Sequence, residues 1–203
     1  MMTQQTNNEQ NKYDALLEKA IYYYERGRPE DVEHVKWLYE IAPKYISNKE
    51  INHDILLPII ILHDTGYSMV PKGSDSYNLD IRKAHSEYGA DIAEKLMTES
   101  GFSSNVTAEV KRLILKHDNW AFGDSFIEEP ALLAFNNFDF MWMASEKGFE
   151  ICRTALKLGP QECYHKIEQF QKENIKRGSK WFNNVTEELY SKLMEDRRKA
   201  FNL

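Results

Sequence analysis

The feature that most constrains this chain is an apolar run over residues 59–62 that ends in His63 and Asp64, with a turn-forming glycine at position 66. An uninterrupted apolar run of this kind is buried in a folded protein, so the two polar side chains at its end are drawn toward the interior. An ionisable group in the interior is costly unless it has a partner there. The rest of the sequence is therefore expected to supply partners for His63 and Asp64.

Hydrophobic spacing predicts an all-α protein, because apolar residues recur at helical intervals and no useful length of chain alternates as a strand would. A polar, Gln- and Asn-rich disordered tail is predicted over 1–11 and a single domain over 12–203. Two loops are predicted, over 66–78 and 119–129. Helices are predicted over about 12–26, 30–42, 47–64, 79–100, 103–117, 130–158, 160–177 and 184–200.

Composition narrows the functional classes. The net charge of −6 argues against broad binding to nucleic acid or to an anionic membrane surface. The two cysteines, Cys152 and Cys163, form neither a disulfide framework nor a metal-binding pair, which favours a reducing cytoplasm. The longest apolar run, over 55–62, is too short to span a bilayer. We therefore expect a cytoplasmic protein for which membrane and nucleic-acid partners are disfavoured.

Six ionisable residues on five predicted helices are expected to point inward. A single histidine on an apolar face is more often a core residue bonded to the backbone than a ligand, and an inward aspartate is more often a cap or half of an ion pair. Six together change that balance, because one shared metal site satisfies all of them at once. The six residues are His34, His63, Asp64, His85, His117 and Asp139.

Imidazole and carboxylate ligands suit Mn, Fe, Zn, Co or Ni better than Mg or Ca, which prefer sites made of oxygen alone. Six candidates exceed a closed tetrahedral site, so we expect one metal with open positions or two metals bridged by Asp64. Such a site activates water for attack on phosphorus. Two other His-Asp pairs occur, at 53–54 and 117–118. We expect Asp54 to interact with its helix dipole and Asp118 to be solvated or to bond within its loop.

The order H…HD…H…H…D resembles the HD-domain metal-dependent phosphohydrolase superfamily over a motif core of about 30–148. The sequence ILHDTGY at 61–67 resembles the family's LLHDIG signature, AHSEYGA at 84–90 resembles AHAEIGA, and Phe138-Asp139 resembles the closing AD. The resemblance implies a bundle of about five core helices with peripheral N- and C-terminal helices.

The resemblance also implies roles for the six residues. It assigns the second metal, or contact with the substrate phosphate, to His85 and His117. It implies that a small phosphate ester, such as a nucleotide, is cleaved by metal-activated water, with Asp64 as the catalytic residue. Lys116 and Lys147 are the candidates for binding the substrate phosphate. The first metal is assigned to His34, His63, Asp64 and Asp139.

Two departures from the family pattern leave alternatives open. No acid follows the HD pair, and Tyr67 stands where cyclic-di-nucleotide members carry a lysine. One alternative is an HD-type diiron oxygenase, which would use the same six ligands for oxidation by O₂. Another is a non-catalytic binding module that keeps its metal for stability. Aromatic residues on the last helices leave a homodimer open.

Overall fold

The computed structural model describes residues 2–124 and 128–203, with the backbone alone over 2–10. Nine α-helices and three short 3-10 segments occur in the described residues, which contain no β-strand, so the all-α prediction is confirmed. The 3-10 segments are Thr65–Met69, Asn119–Phe122 and Trp142–Ala144. The helices are α1 (Met2–Gly27), α2 (Asp31–Tyr45), α3 (His53–Leu62), α4 (Leu79–Glu99), α5 (Ser104–Ile114), α6 (Pro130–Met141), α7 (Glu146–Leu156), α8 (Pro160–Lys176) and α9 (Asn184–Phe201).

The chain divides into two compact units, Met1–Asp124 and Ser125–Leu203. In the first unit the apolar helix α3 is central and contacts α1, α2, α4 and α5. Every residue of α3 from Leu56 to Leu62 is buried, as its uniformly apolar sequence requires. In the second unit the core includes Phe149, Cys163 and Met194. The prediction of a single domain over 12–203 stays a prediction.

Three predicted helix boundaries are wrong. Glu50 does bond to the backbone of Ser47, but this contact closes a turn, and α3 begins only after Asn52, whose side chain accepts a hydrogen bond from the Asp54 amide at 2.9 Å. Helix α2 continues to Tyr45 although its predicted end lay before Pro43. Helix α5 ends at Ile114, short of the predicted 117.

The single helix predicted over 130–158 is interrupted. Helix α6 ends at Met141, and the side chain of Ser145 caps a new helix by accepting a hydrogen bond from the Gly148 amide at 3.1 Å. A side chain at Gly148 would collide with the carbonyl oxygen of Trp142, so the two helices can approach only through this glycine.

The two ends of the first unit also differ from expectation. Helix α1 begins at Met2 and therefore runs through residues for which a disordered tail was predicted. Part of the predicted loop over 119–129 is the 3-10 segment Asn119–Phe122, and its residues 125–127 lie outside the described residues. No helix in the described parts of the chain combines the length and the apolar character that crossing a bilayer needs. The cytoplasmic location stays a prediction.

Candidate metal centre

The end of α3 fixes the orientation of His63. Its backbone amide continues the helix by donating to Ile59, and its Nδ1 lies 2.9 Å from the carbonyl oxygen of Ile60. A carbonyl oxygen only accepts hydrogen bonds, so Nδ1 carries a proton and Nε2 is the ring nitrogen that faces Asp64. The chain then leaves the helix at Asp64, and the His63 Nε2 lies 3.5 Å from Asp64 Oδ2.

Three histidine rings converge on the Asp64 carboxylate. Asp64 Oδ1 lies 3.3 Å from the Nε2 of His85 and 3.6 Å from the Nε2 of His117. The two Nε2 atoms of His85 and His117 are themselves 3.2 Å apart. The exposed fraction of the three histidines His63, His85 and His117 is only 1%, 0% and 3%. Four ionisable side chains from three separate segments of the chain therefore meet at one point.

His117 reaches this point from the turn that follows α5. Its Nδ1 lies 2.6 Å from the carbonyl oxygen of Ile114, the last residue of that helix. The arrangement repeats that of His63, where a backbone carbonyl three residues earlier holds Nδ1 and leaves Nε2 facing Asp64. Both rings are therefore oriented by the backbone at the end of a helix.

His34 joins the same region from α2. Its buried ring lies 5.4 Å from that of His63, centroid to centroid, at an interplanar angle of 82°. Five of the six predicted ligands thus lie together in the first unit. Asp139 is half-buried on α6 of the second unit, and its assignment as a metal ligand stays a prediction.

The spacing of Asp64, His85 and His117 fits a single divalent ion. Two ligand atoms that each lie about 2.1 Å from one ion are about 3 Å apart when they subtend a right angle. The separations of 3.2 Å between the two Nε2 atoms and 3.3 Å from His85 to Asp64 match that value. One carboxylate and two imidazoles are ligands for Mn, Fe, Co, Ni or Zn, and this group can hold such an ion.

Comparison with known families agrees with this geometry. A family model for the HD domain matches residues 31–148, which is more than half of the chain. The chain belongs to the HD-domain family. This confirms the predicted superfamily, whose members are mostly metal-dependent phosphohydrolases. A search of curated proteins and a search of solved structures found no match to this chain.

Asp118 of the HD domain lies in an environment that differs from the predicted one. It was expected to be solvated or to bond within its loop, but it is only 8% exposed and pairs with a residue of α4. Its Oδ2 accepts a hydrogen bond from Arg82 at 2.7 Å and lies 3.8 Å from the Nε2 of His85. The Arg82 guanidinium in turn lies over the ring of Trp120, 5.3 Å from its centroid. The signal that could have found Asp118 is its position, directly after a candidate ligand at a helix end, as Asp64 follows His63.

A cleft of about 300 Å³ opens beside these residues in the first unit. Asp118 belongs both to the cleft wall and to the surroundings of His85. The wall combines apolar Leu115 and Phe122 with charged and amide groups, a mixture typical of small-molecule sites. The lining residues are Lys83, Ser86, Glu87, Leu115, Asp118, Asn119 and Phe122.

The two lysines predicted to bind the substrate phosphate belong to different units of the chain. Lys116 is half-buried in the turn beside His117. Lys147 is exposed in the first turn of α7, in the second unit. The role of both lysines in substrate binding stays a prediction.

The charges of the HD domain favour an ionised Asp64 next to a protonated His117. Burial alone would raise the pKa of Asp64, but His63, His117 and His85 hold it well below its usual range. Burial alone would lower the pKa of His117, but the negative charges of Asp118 and Asp64 raise it to about 9. The protein thus keeps an anion at the centre and a cation beside it at neutral pH.

We expect the affinity of the HD domain for a divalent metal to fall as the pH falls below 9. Nε2 of His117 can bind a metal only after it loses its proton, and the pKa of His117 is about 9. The apparent dissociation constant for Co²⁺ should therefore rise by up to about tenfold per pH unit lost. Calorimetric titrations of Co²⁺ across that pH range measure it, and a dissociation constant independent of pH would contradict the raised pKa.

The raised pKa of His117 also makes the free energy of unfolding of the chelated protein depend on pH. The pKa of His117 is raised in the folded chain from its ordinary value of 6.5 to about 9 by the negative charges of Asp118 and Asp64, so folding binds a proton there. Its contribution to the free energy of unfolding is fully present below about pH 6.5 and is lost as the pH rises through 9. Urea denaturation of the chelated protein at both ends of this range measures the difference.

Proposed function

We propose that this HD domain is a metal-dependent phosphohydrolase that cleaves a small phosphate ester, with nucleotides among the candidate substrates. One observation carries the proposal: the half-buried Asp64 carboxylate lies 3.3–3.6 Å from the Nε2 atoms of three histidines. Membership of the HD-domain family supports the same reaction class. The proposed metal is one or two ions of Mn, Fe, Zn, Co or Ni, for which these nitrogen and oxygen ligands are suited.

A divalent metal bound there would supply Lewis acidity, which activates water for attack on phosphorus and offsets the charge of the phosphate. The protein's own groups prepare the site for it. The carbonyl oxygens of Ile60 and Ile114 hold His63 and His117 with their Nε2 atoms turned toward Asp64. Asp64 is ionised, because its pKa lies well below the usual range, and an ionised carboxylate can orient the attacking water or take its proton.

The cleft beside Asp118 is the proposed place for the rest of the substrate. Its lysine, Lys83, can offset phosphate charge, and the nearby Arg82 is already held toward the cleft wall by Asp118. The exposed apolar side chains of Leu115 and Phe122 give a hydrophobic contact to the group that leaves with the ester oxygen. Lys116 and Lys147 remain proposed alternatives for phosphate binding.

The proposal is tested by phosphate release. The protein is purified without added metal, its metal content is measured by elemental analysis, and release is screened over nucleotides and small phosphate esters with Mn²⁺, Co²⁺, Zn²⁺, Ni²⁺ or Fe²⁺. We expect release that stops on chelation and needs no O₂. His117→Ala should lose it, while His165→Ala, which removes an exposed histidine of α8, should keep it. No release with any metal would contradict the proposal.

Two alternatives use the same residues and stay predictions. A diiron oxygenase would contain two irons per chain and would consume O₂ with an oxidisable substrate. A non-catalytic module would bind metal, gain stability from it and leave every phosphate ester intact. The elemental analysis and O₂ uptake identify the oxygenase, and the phosphate-release screen separates the non-catalytic module from a phosphohydrolase.

A further inference from the structure

His85 differs from the other two histidines in the way its ring is held. The Nδ1 atoms of His63 and His117 each lie against a backbone carbonyl, at 2.9 and 2.6 Å. The Nδ1 of His85 is buried and has no hydrogen-bond partner among residues 2–124 and 128–203. A metal-binding histidine usually donates its second ring nitrogen to a carboxylate, carbonyl or water, which fixes the ring. Some other contact must therefore orient His85.

That contact is the ring of Tyr67. It lies flat against the imidazole of His85, with ring centroids 4.1 Å apart and an interplanar angle of 8°. Both residues are buried, Tyr67 with 6% of its surface exposed and His85 with none. A stacked aromatic neighbour restricts the tilt of the imidazole, because any tilt would bring the two rings into collision or open a gap between them.

The other face of Tyr67 is occupied by Arg28. The guanidinium carbon lies 4.6 Å from the centroid of the tyrosine ring, and because His85 covers one face the guanidinium must lie on the opposite one. Arg28 is fixed in turn by buried Asp31: its Nη2 donates a hydrogen bond to Asp31 Oδ1 at 3.0 Å, and its Nε lies 2.9 Å from Oδ2 as an ion pair. A paired guanidinium of this kind is held in a defined plane. Arg28, Tyr67 and His85 thus form one stacked column.

Close backbone contacts set the position of this column. A side chain at Gly66 would collide with the carbonyl oxygen of His85, so the 3-10 segment that carries Tyr67 touches α4 directly. A Cβ at Gly27 would lie 2.5 Å from the backbone nitrogen of Ser68, so the end of α1 touches the same segment. The tyrosine ring is therefore placed between α1 and α4 by the backbone and has little freedom to move away.

We infer that Tyr67 is a positioning residue for His85: its ring does by stacking what backbone carbonyls do for His63 and His117. The inference rests on the metal-binding role proposed for His85 and not on the identity of the substrate. The part of Tyr67 that matters is the ring face, so the hydroxyl is dispensable. Loss of the ring should loosen metal held by Asp64, His85 and His117 and should change the geometry around that metal.

Binding of Co²⁺ tests the inference without measuring activity, because the visible absorption of Co²⁺ reports its ligand geometry. Tyr67→Phe keeps the stack and should bind Co²⁺ with the affinity and spectrum of the unmodified chain. Tyr67→Leu should weaken binding by about 10- to 100-fold, as loss of a group that orients a metal ligand does, and should alter the spectrum. His85→Ala gives the reference for loss of this ligand.

Tyr13→Leu is the matched control, because Tyr13 lies in the same unit, is also 6% exposed and packs its ring near Phe102. It should lower the free energy of unfolding and leave Co²⁺ affinity unchanged. Tyr67→Met provides a second variant without a ring should the leucine variant not fold.

Three outcomes would overturn the inference, and they are distinguishable. Unchanged affinity and spectrum in Tyr67→Leu or Tyr67→Met would show that the stack does not position His85. Equal losses in Tyr67→Phe and Tyr67→Leu would assign the effect to the hydroxyl. No Co²⁺ binding by the unmodified chain would overturn the metal centre as well. Normal Co²⁺ binding without phosphate release would instead contradict only the proposed hydrolysis.

Discussion

Asp64→Ala is expected to abolish metal binding and phosphate release together. The carboxylate lies 3.3–3.6 Å from the Nε2 atoms of His63, His85 and His117, so its loss removes the one anion that all three share. Loss of a group that only orients a ligand already costs about 10- to 100-fold in metal affinity, so loss of the ligand itself should cost at least about a hundredfold. Elemental analysis and a Co²⁺ titration measure binding, and phosphate release measures turnover.

His53→Ala is the control for that variant, since it alters another His-Asp pair of the same unit, at 53–54. The His53 ring lies 2.9 Å from the carbonyl oxygen of Ile46 at the start of α3, at the opposite end of the helix from His63. Its loss should cost the protein about 1 kcal/mol through that hydrogen bond and leave metal content unchanged. Full metal content in Asp64→Ala, or loss of metal in His53→Ala, would mean that the wrong pair has been assigned.

Much of the metal centre was predictable because the periodicity of apolar residues on a helix indicates which side chains point toward the core. His34 and His85 fall on apolar stripes, and a stripe on a helix must face the core. His63 ends an apolar helix, so its direction follows from the burial of that helix. These local rules predict that the residues point inward. That His34, His63, Asp64, His85 and His117 meet at one place was inferred from their need for partners, and the first unit shows them together.

The helix ends were less predictable, because several local signals compete there. The Glu50 carboxylate accepts from the amide and the hydroxyl of Ser47, which supplies one of the two bonds of a capping box, but no helix opens there and the cap belongs to Asn52. His117 was placed on α5 by its spacing, but the helix ends at Ile114 and the ring turns back onto that carbonyl. The side chain faces inward either way, so an error in the helix boundary did not change the candidate ligand.

The surroundings of the ligands could not be predicted, because they depend on residues that are distant in sequence. Asp118 is drawn inward by Arg82, which belongs to another helix. Tyr67 was noted only for standing where some family members carry a lysine, and its stacking depends on Arg28 and on α4. Spacing along one helix carries no information about such contacts between elements.

Gly66→Ala is expected to lower the free energy of unfolding by more than about 3 kcal/mol, well beyond the typical effect of one substitution. A Cβ at position 66 would overlap the carbonyl oxygen of His85 and lie 2.5 Å from the backbone nitrogen of Gly89. Both clashing atoms belong to the backbone of α4. The clash can therefore be removed only if the helix or the 3-10 segment shifts as a whole. Urea denaturation followed by circular dichroism measures the loss.

The same shift should reach the metal centre, because His85 belongs to the stretch of α4 that has to move. We therefore expect Gly66→Ala to bind Co²⁺ more weakly even under conditions where the variant is fully folded. Gly159→Ala is the matched control: its φ of −67° suits alanine, and its Cβ would meet only the Glu162 side chain at 3.4 Å. That variant should change stability by less than about 1 kcal/mol and leave Co²⁺ affinity intact. If the two variants lost equal stability, the 3-10 segment would not be pressed against α4, and the close approach that places Tyr67 on His85 would be absent.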